Sequence, residues 1–303
     1  VGARNGDYGK GAVYIMFMNA NGSLDSTVKI NDYTMNGPTL SSMDNFGSSI
    51  ANIGDLNGDG VSDLAVGALQ DDNSGMDQGA VHIMFMNIDG SVDSTIEIND
   101  YTMNGPMLSN MDNFGSSIAN IGDLNDDGVN DLAVGAALDD YGGTNRGAVH
   151  IMYMNVNGSV KSTVEINDST MNGPVLNNGD RFGSSVENIG DLNDDGVNDL
   201  AVGATDDGGK GAVHIMFMNV NGSVQSTVEI NETTPNGPVL NSNDGYGRSI
   251  TNIGDLNGDG VNDLAVGGSD NYGKEGAVHI MLMNSNGSVQ STVEINETTP
   301  NGP

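Results

Sequence analysis

The chain has 303 residues, with 9 Lys+Arg against 41 Asp+Glu and a formal net charge of −32. So acidic a surface repels phosphate backbones and argues against a nucleic-acid partner, and the absence of Cys excludes disulfide scaffolds, thiolate metal sites and Cys nucleophiles. No apolar run approaches the ~18 residues of a membrane span, and 41 − 8 Glu leaves 33 Asp, a residue of turns and metal loops rather than helices.

Internal repetition organises the rest. VGA or VGG recurs at Val1, Val66, Val134, Val202 and Val266, and GAV at Gly11, Gly79, Gly147, Gly211 and Gly276. From a GAV glycine to the next VGA valine the distance is always 55 residues (11→66, 79→134, 147→202, 211→266). Every insertion therefore falls between VGA and GAV, as expected of one structural unit copied, with length tolerated at a surface connection. The chain divides into a partial repeat, 1–38, and repeats 39–106, 107–174, 175–238 and 239–303, each closing on Asn-Gly-Pro. It reads as a window of a longer array.

Within the first full repeat, Phe46–Ile53 is the first strand candidate. An acidic segment follows, then a second strand, Leu64–Ala68, and the variable connection. Gly79–Asn87 alternates with period 2: Val81, Ile83 and Phe85 face one way, and Ala80, His82, Met84 and Met86 the other. Both faces are largely apolar, as in a strand sandwiched between neighbouring sheets. Asp89-Gly90 (Asn-Gly in the other copies) is a hairpin signal, and Val92–Ile98 reads as a half-exposed strand. Pro106 lies in the exit connection. Four antiparallel strands, apolar on both faces, must stack on copies of themselves, which describes the blade of a β-propeller. The expected fold is all-β, with a closed ring and an open or helical stack both left open.

The acidic segment carries the chemistry. It reads Asp55-Leu-Asn57-Gly-Asp59-Gly60-Val61-Ser-Asp63, and copies begin at Asp123, Asp191 and Asp255. Oxygen side chains at positions 1, 3, 5 and 9, with Gly at 6 to turn the position-7 carbonyl inward, suit a hard cation. The predicted Ca²⁺ ligands are Asp55, Asn57, Asp59, Asp63 and the Val61 carbonyl in the first loop, and Asp123, Asn125, Asp127, Asp131 and the Val129 carbonyl in the second. They are Asp191, Asn193, Asp195, Asp199 and the Val197 carbonyl in the third, and Asp255, Asn257, Asp259, Asp263 and the Val261 carbonyl in the fourth. Mg²⁺ is disfavoured because it keeps a small, water-rich octahedral shell. An EF-hand would place Glu where Val66 stands and would need flanking helices.

Taken together, Phe46-Gly47, Asp55 to Asp63, Val66-Gly67-Ala68 and Gly79-Ala80-Val81 resemble the FG-GAP repeat of integrin α-subunit propellers and many microbial surface proteins. The resemblance spans essentially the whole chain and implies a Ca²⁺ loop between the first two strands of each blade. The family's Pro is replaced by Leu69, Ala137, Thr205 or Ser269, and its Phe by Tyr246 in the last copy.

Other patterns are weaker. His82, His150, His214 and His279 stand beside Met residues; a soft copper site could use both, but core packing accounts for them. Sequons mark Asn21, Asn157, Asn167, Asn221, Asn231, Asn286 and Asn296 as candidate N-glycosylation sites, and Thr233, Thr234, Thr298 and Thr299 as candidates for O-linked sugar. No hydrolase triad or phosphate loop stands out. The expectation is a non-enzymatic, extracellular or cell-surface calcium-binding protein. Its leading role is structural, in a fibre or stalk built by self-association with further copies. The alternative is a closed integrin-like propeller acting as an adhesin, whose variable loops (Arg4–Lys10, Leu69–Gln78, Ala137–Arg146, Thr205–Lys210, Ser269–Glu275) bind a protein or glycan.

Overall fold

The structure, a computed structural model, describes residues 1–269 and 276–300. Asp270–Glu275 of the last variable loop, and the closing Asn301-Gly302-Pro303, lie outside the described residues.

The first sheet pairs β1 (Val13–Met18) with β2 (Leu24–Ile30). The second holds β3 (Phe46–Gly54), β4 (Asp63–Ala68), β5 (Ala80–Met86) and β6 (Val92–Ile98) in chain order. The third repeats that order with β7 (Phe114–Gly122), β8 (Asp131–Ala136), β9 (Ala148–Met154) and β10 (Val160–Ile166). The fourth comprises β11 (Phe182–Gly190), β12 (Asp199–Ala204), β13 (Ala212–Met218) and β14 (Val224–Ile230). The fifth comprises β15 (Ser249–Gly254), β16 (Asp263–Gly268), β17 (Ala277–Met283) and β18 (Val289–Ile295). The protein is thus all-β, built of antiparallel propeller-type blades. Its only helical pieces among the described residues are single 3₁₀ turns at Asp7–Gly9 and Asp207–Gly209.

The strand order follows from the apolar patterning. Every residue of β5 is buried, as its two apolar faces require. In β6, by contrast, Val92 and Ile98 are buried while Asp93 and Ser94 face solvent. Register is set accordingly, with Leu64 opposite Met84 and Val81 opposite Ile98. The β5–β6 turn is wider than a two-residue Asp-Gly loop: Gly90 N–H donates to the Asn87 carbonyl, Asn87 N–H donates to the Ser91 carbonyl, and only Gly90 takes a positive φ, 80°.

The chain forms two compact units, one of Val1–Val134 with Met152–Thr163, the other of Gly135–Ile151 with the described residues from Val164 onward. In the first, Val13 and Ile30 of the first sheet pack with Phe46, Val66, Met84 and Val92 of the second. In the second, Val213, Ile215 and Phe217 pack with Tyr246, Val266 and Met281. Each core is a layer between consecutive blades, so a blade depends on its neighbour for burial.

The glycines that define the repeat sit at these blade junctions. A bridge joins Gly11 to Phe46 and Gly79 to Phe114 in one unit, and Gly147 to Phe182 and Gly211 to Tyr246 in the other. Gly79 has φ 87°, and a Cβ there would lie 2.2 Å from the Phe114 carbonyl oxygen. The junction is reinforced by Ser49 Oγ–H donating to the Gly115 carbonyl (2.7 Å) and Ser185 Oγ–H to the Gly247 carbonyl (2.6 Å). At the exit loops, the Thr95, Thr163, Thr227 and Thr292 hydroxyls donate to the carbonyls of Asn36, Asn104, Asn172 and Asn236, each at 2.8 Å.

Candidate metal centres

Each Asp loop connects the first two strands of its blade, and its ninth residue is already the first residue of the second strand. The loop shape comes from positive-φ residues. Gly60, Gly128, Gly196 and Gly260 have φ between 87° and 91°. Position 4 is left-handed too, as Gly58, Asp126, Asp194 and Gly258.

In the first loop the Asp55 carboxylate accepts from the amides of Gly58 (2.8 Å), Asp59 (3.0 Å) and Gly60 (2.8 Å). Asn57 Oδ1 accepts from the Asp59 amide, and Asp59 Oδ1 from the Val61 amide. The third and fourth loops repeat this wiring through Asp191, Asn193 and Asp195, and through Asp255, Asn257 and Asp259. In the second, Asp123 accepts from Asp127 and Gly128. Backbone donors hold the Asp255 carboxyl below its usual range, chiefly the Gly260 amide.

The position-9 aspartates differ in kind. Asp63, Asp131, Asp199 and Asp263 are fully buried. Asp63 accepts from the amide of Leu56, inside the loop, and from that of Met86, at the end of β5, both at 3.0 Å. Asp131, Asp199 and Asp263 make the same pair of bonds to Leu124 and Met154, Leu192 and Met218, and Leu256 and Met283. Burial, with the charges of neighbouring loop aspartates, pushes Asp131 and Asp199 up to about 6. A divalent cation would offset both causes.

The donor set fits a hard cation: oxygen donors only, on a loop already bent, with a desolvated carboxylate beneath it. The residues that would hold Ca²⁺ are those named from the spacing. Among the described residues, however, no three His, Cys, Asp or Glu side chains gather closely enough to hold a metal ion. The loop carboxylates are spent instead on the loop's own amides, and two of the five predicted donors in each loop are an Asn and a carbonyl.

One loop carries a competitor. Lys161 Nζ lies 2.7 Å from Asp127 Oδ2, and this contact holds Asp127 below the ordinary carboxylate value. Gln225 and Gln290 occupy the matching position in later repeats. Replacing Lys161 with Gln is expected to raise the Ca²⁺ affinity of the second loop several-fold, as removal of one exposed ion pair allows. Calorimetric titration of both proteins checks this, and an unchanged affinity would count against Asp127 as a ligand.

Sequence reasoning missed Asn130 and Asn262, at position 8 of their loops. Their side-chain amides donate to the carbonyls of Ile53 (3.0 Å) and Ile189 (2.9 Å) in the preceding blade. The signal was present in the matching 8th position, but nothing local shows that it reaches across a junction. The histidines sit where packing predicts: His82 is 1% exposed with its ring edge-on to Phe46, 5.4 Å between centroids, and His214 repeats this against Phe182.

The sugar candidates have local roles in the folded chain. Asn21, Asn157, Asn221 and Asn286 are exposed and cap the Ser two residues on. Asn231 and Asn296 are half-buried and cap Thr233 and Thr298, which are exposed; Thr234 and Thr299 are half-buried. Asn167 is 5% exposed, with its amide donating to Glu165.

Fold and loops define a class: an all-β repeat protein whose four-stranded, propeller-type blades each present an Asp-rich loop between their first two strands. The FG-GAP repeat model matches residues 46–84, 114–152, 182–216 and 246–281, and the chain belongs to the FG-GAP repeat family. It is 36% identical to integrin alpha-11 of Homo sapiens over 165 residues, 52% of this chain and 12% of that protein. It is 35% identical to integrin alpha-PS5 of Drosophila melanogaster over 151 residues, 48% of this chain and 14% of that one. With integrin alpha-IIb of Mus musculus it shares 32% over 188 residues, 61% and 17% respectively. The matches thus cover only a small part of these relatives' length.

Proposed function

We propose that this protein is a non-enzymatic adhesion or ligand-binding module working outside the cell. Calcium held in its Asp loops stiffens the blades, and its variable VGA–GAV loops recognise a protein or glycan. The observation that carries this reading is the division of labour within the repeat. Strands, Asp loops and junction glycines recur with the same bonds, while length changes only between VGA and GAV. That is the arrangement of a scaffold presenting variable loops, and the integrin α likeness points the same way. Among the described residues no helix is long and apolar enough to cross a membrane. Extracellular calcium levels suit loops of this kind, whereas resting cytosolic levels would fill only high-affinity ones.

Binding to immobilised matrix proteins and glycans tests recognition. Exchanging Leu69–Gln78 for the shorter Thr205–Lys210 is expected to abolish binding while the protein still unfolds in a single cooperative transition; undiminished binding by the exchanged protein would remove the loop's role.

Calcium has its own test. EGTA is expected to lower the melting temperature, because a cation bound only by the folded state adds stability, about 2.7 kcal/mol per site at a hundredfold excess over Kd. An unchanged melting temperature would end the calcium reading.

A structural role in a fibre, which sequence alone ranked first, is now the second reading. It draws on the junction bonds, since repeated identical contacts suit a stack of copies. Negative-stain images showing discrete rings would remove it, and filaments would favour it.

A further inference from the structure

The second blade carries a pair of buried acids that the Asp loops do not use. Asp44, two residues before Phe46, and Asp71, in the variable loop Leu69–Gln78, are both 0% exposed. Asp44 Oδ2 accepts from the Ser41 amide at 2.5 Å, and Asp71 Oδ1 from the Asn73 amide at 2.9 Å. Backbone bonds bring the two segments together: Gln70 N–H donates to the Asp44 carbonyl, and Gly79 N–H to the Asp71 carbonyl. No N–H or hydroxyl among the described residues reaches Asp44 Oδ1. The acid that interacts with Asp44 from this bonded loop segment is Asp71, and a hydrogen bond between the two would give Asp44 Oδ1 the donor it lacks. Two carboxylates cannot make that bond; a carboxylic acid and a carboxylate can.

We propose that Asp71 holds a proton shared with Asp44, an acid–carboxylate bond that latches the variable loop onto the segment entering β3 and opens when the proton leaves to water.

Burial raises both groups above the usual carboxylate range, Asp71 to about 7 and Asp44 to about 6. Around the pair stand Asp72 on the same loop, Glu97 on β6, His82 on β5 and Lys10 on the first variable loop. Lys10 is engaged by Asp32, and burial lowers His82 to about 4, beneath the range in which the pair titrates. In the other unit the corresponding Asp207 lies 3.7 Å from His214 Nε2, so the loop acid there has a different neighbour. Because the folded pair binds a proton more tightly than the open loop (ordinary value near 4), the latch is complete in acid and is lost as pH rises through about 7. The consequence for recognition rests on the ligand-binding reading above. The latch itself does not, and it is read without any ligand.

Hydrogen exchange on the full chain, at fixed free calcium, tests it. Protection of peptides spanning 70–79, corrected for intrinsic rates, is expected to fall about tenfold per pH unit between pH 5 and 7 and to level off above about 8. Asp71→Asn supplies a permanent N–H donor and should hold protection high and flat. Asp44→Asn should do the same from the other side, which covers the case where one variant fails to fold. A flat wild-type profile, or an Asn variant that keeps the wild-type slope, overturns the proposal.

Discussion

Gly79→Ala is expected to cost about 4 kcal/mol, the sum of roughly 2 for holding a side chain at an unfavourable positive φ and a similar amount for displacing the partner backbone. A methyl group at Gly79 has no room: its Cβ would meet the Phe114 oxygen at 2.2 Å and the Phe114 nitrogen at 2.7 Å, both main-chain atoms. Neither can swing aside as a side chain would. Gly58→Ala is the control. Gly58 also has a positive φ, 79°, but a Cβ there meets nothing within 4 Å, and Asp126 and Asp194 hold the equivalent conformation with side chains in place. Its cost should be about 1 kcal/mol. Calorimetry of the two variants in saturating calcium separates them. Equal losses would mean that backbone conformation, and not the blade junction, explains the conserved spacing of glycines within this chain.

Asp63→Ala should be nearly as damaging, and for a reason independent of calcium. The Asp63 carboxylate is the acceptor for two buried amides, Leu56 and Met86. Each left unpaired costs about 1–3 kcal/mol, so the variant should lose about 4 kcal/mol even in EGTA. Asp59→Asn is different. Asp59 is exposed, and an Asn keeps an oxygen to accept from the Val61 amide. Its melting temperature should match the wild type in EGTA and fall behind only when calcium is added. If Asp63→Ala and Asp59→Asn behave alike in EGTA, the buried aspartate is not the tie between loop and sheet.

Strand positions were legible because period-2 alternation reports burial directly: Val81, Ile83 and Phe85 against His82, Met84 and Met86 could only be a strand covered on both sides. The position and turns of the Asp loops were legible because such a loop is local, its side chains bonding amides within nine residues. The different duty of position 9 was not. Asp63 looks like Asp55 in sequence, and only the Met86 amide, 23 residues away, separates a desolvated tie from an exposed loop carboxylate. The acid two residues before each Phe-Gly or Tyr-Gly pair has the sequence look of an ordinary turn residue. Asp44, Asp112, Asp180 and Asp244 do cap local turns, accepting from Ser41, Ser109, Asn177 and Asn241. Asp44, Asp112 and Asp180 are buried as well, and for Asp44 the partner segment, at Asp71, lies 27 residues further on.

Composition, spacing and periodicity by themselves determined the all-β class, the four-stranded repeat, the Asp loops and the place where length varies. Each of those is written within one repeat, where neighbours in space are near neighbours in sequence. Tertiary structure alone decided why the two glycine motifs exist and how consecutive blades are joined within each unit. Phe46 meets Gly11, and Phe114 meets Gly79, across 35 residues. When every copy carries the same motif, sequence cannot say which copy a residue will touch; packing chooses, because a blade apolar on both faces finds its cover on the next one. The charge of −32 divides the same way. Its excess of Asp could be read from composition, but burial sorted those residues into exposed loop carboxylates, desolvated ties and a pair of acids placed to share a proton.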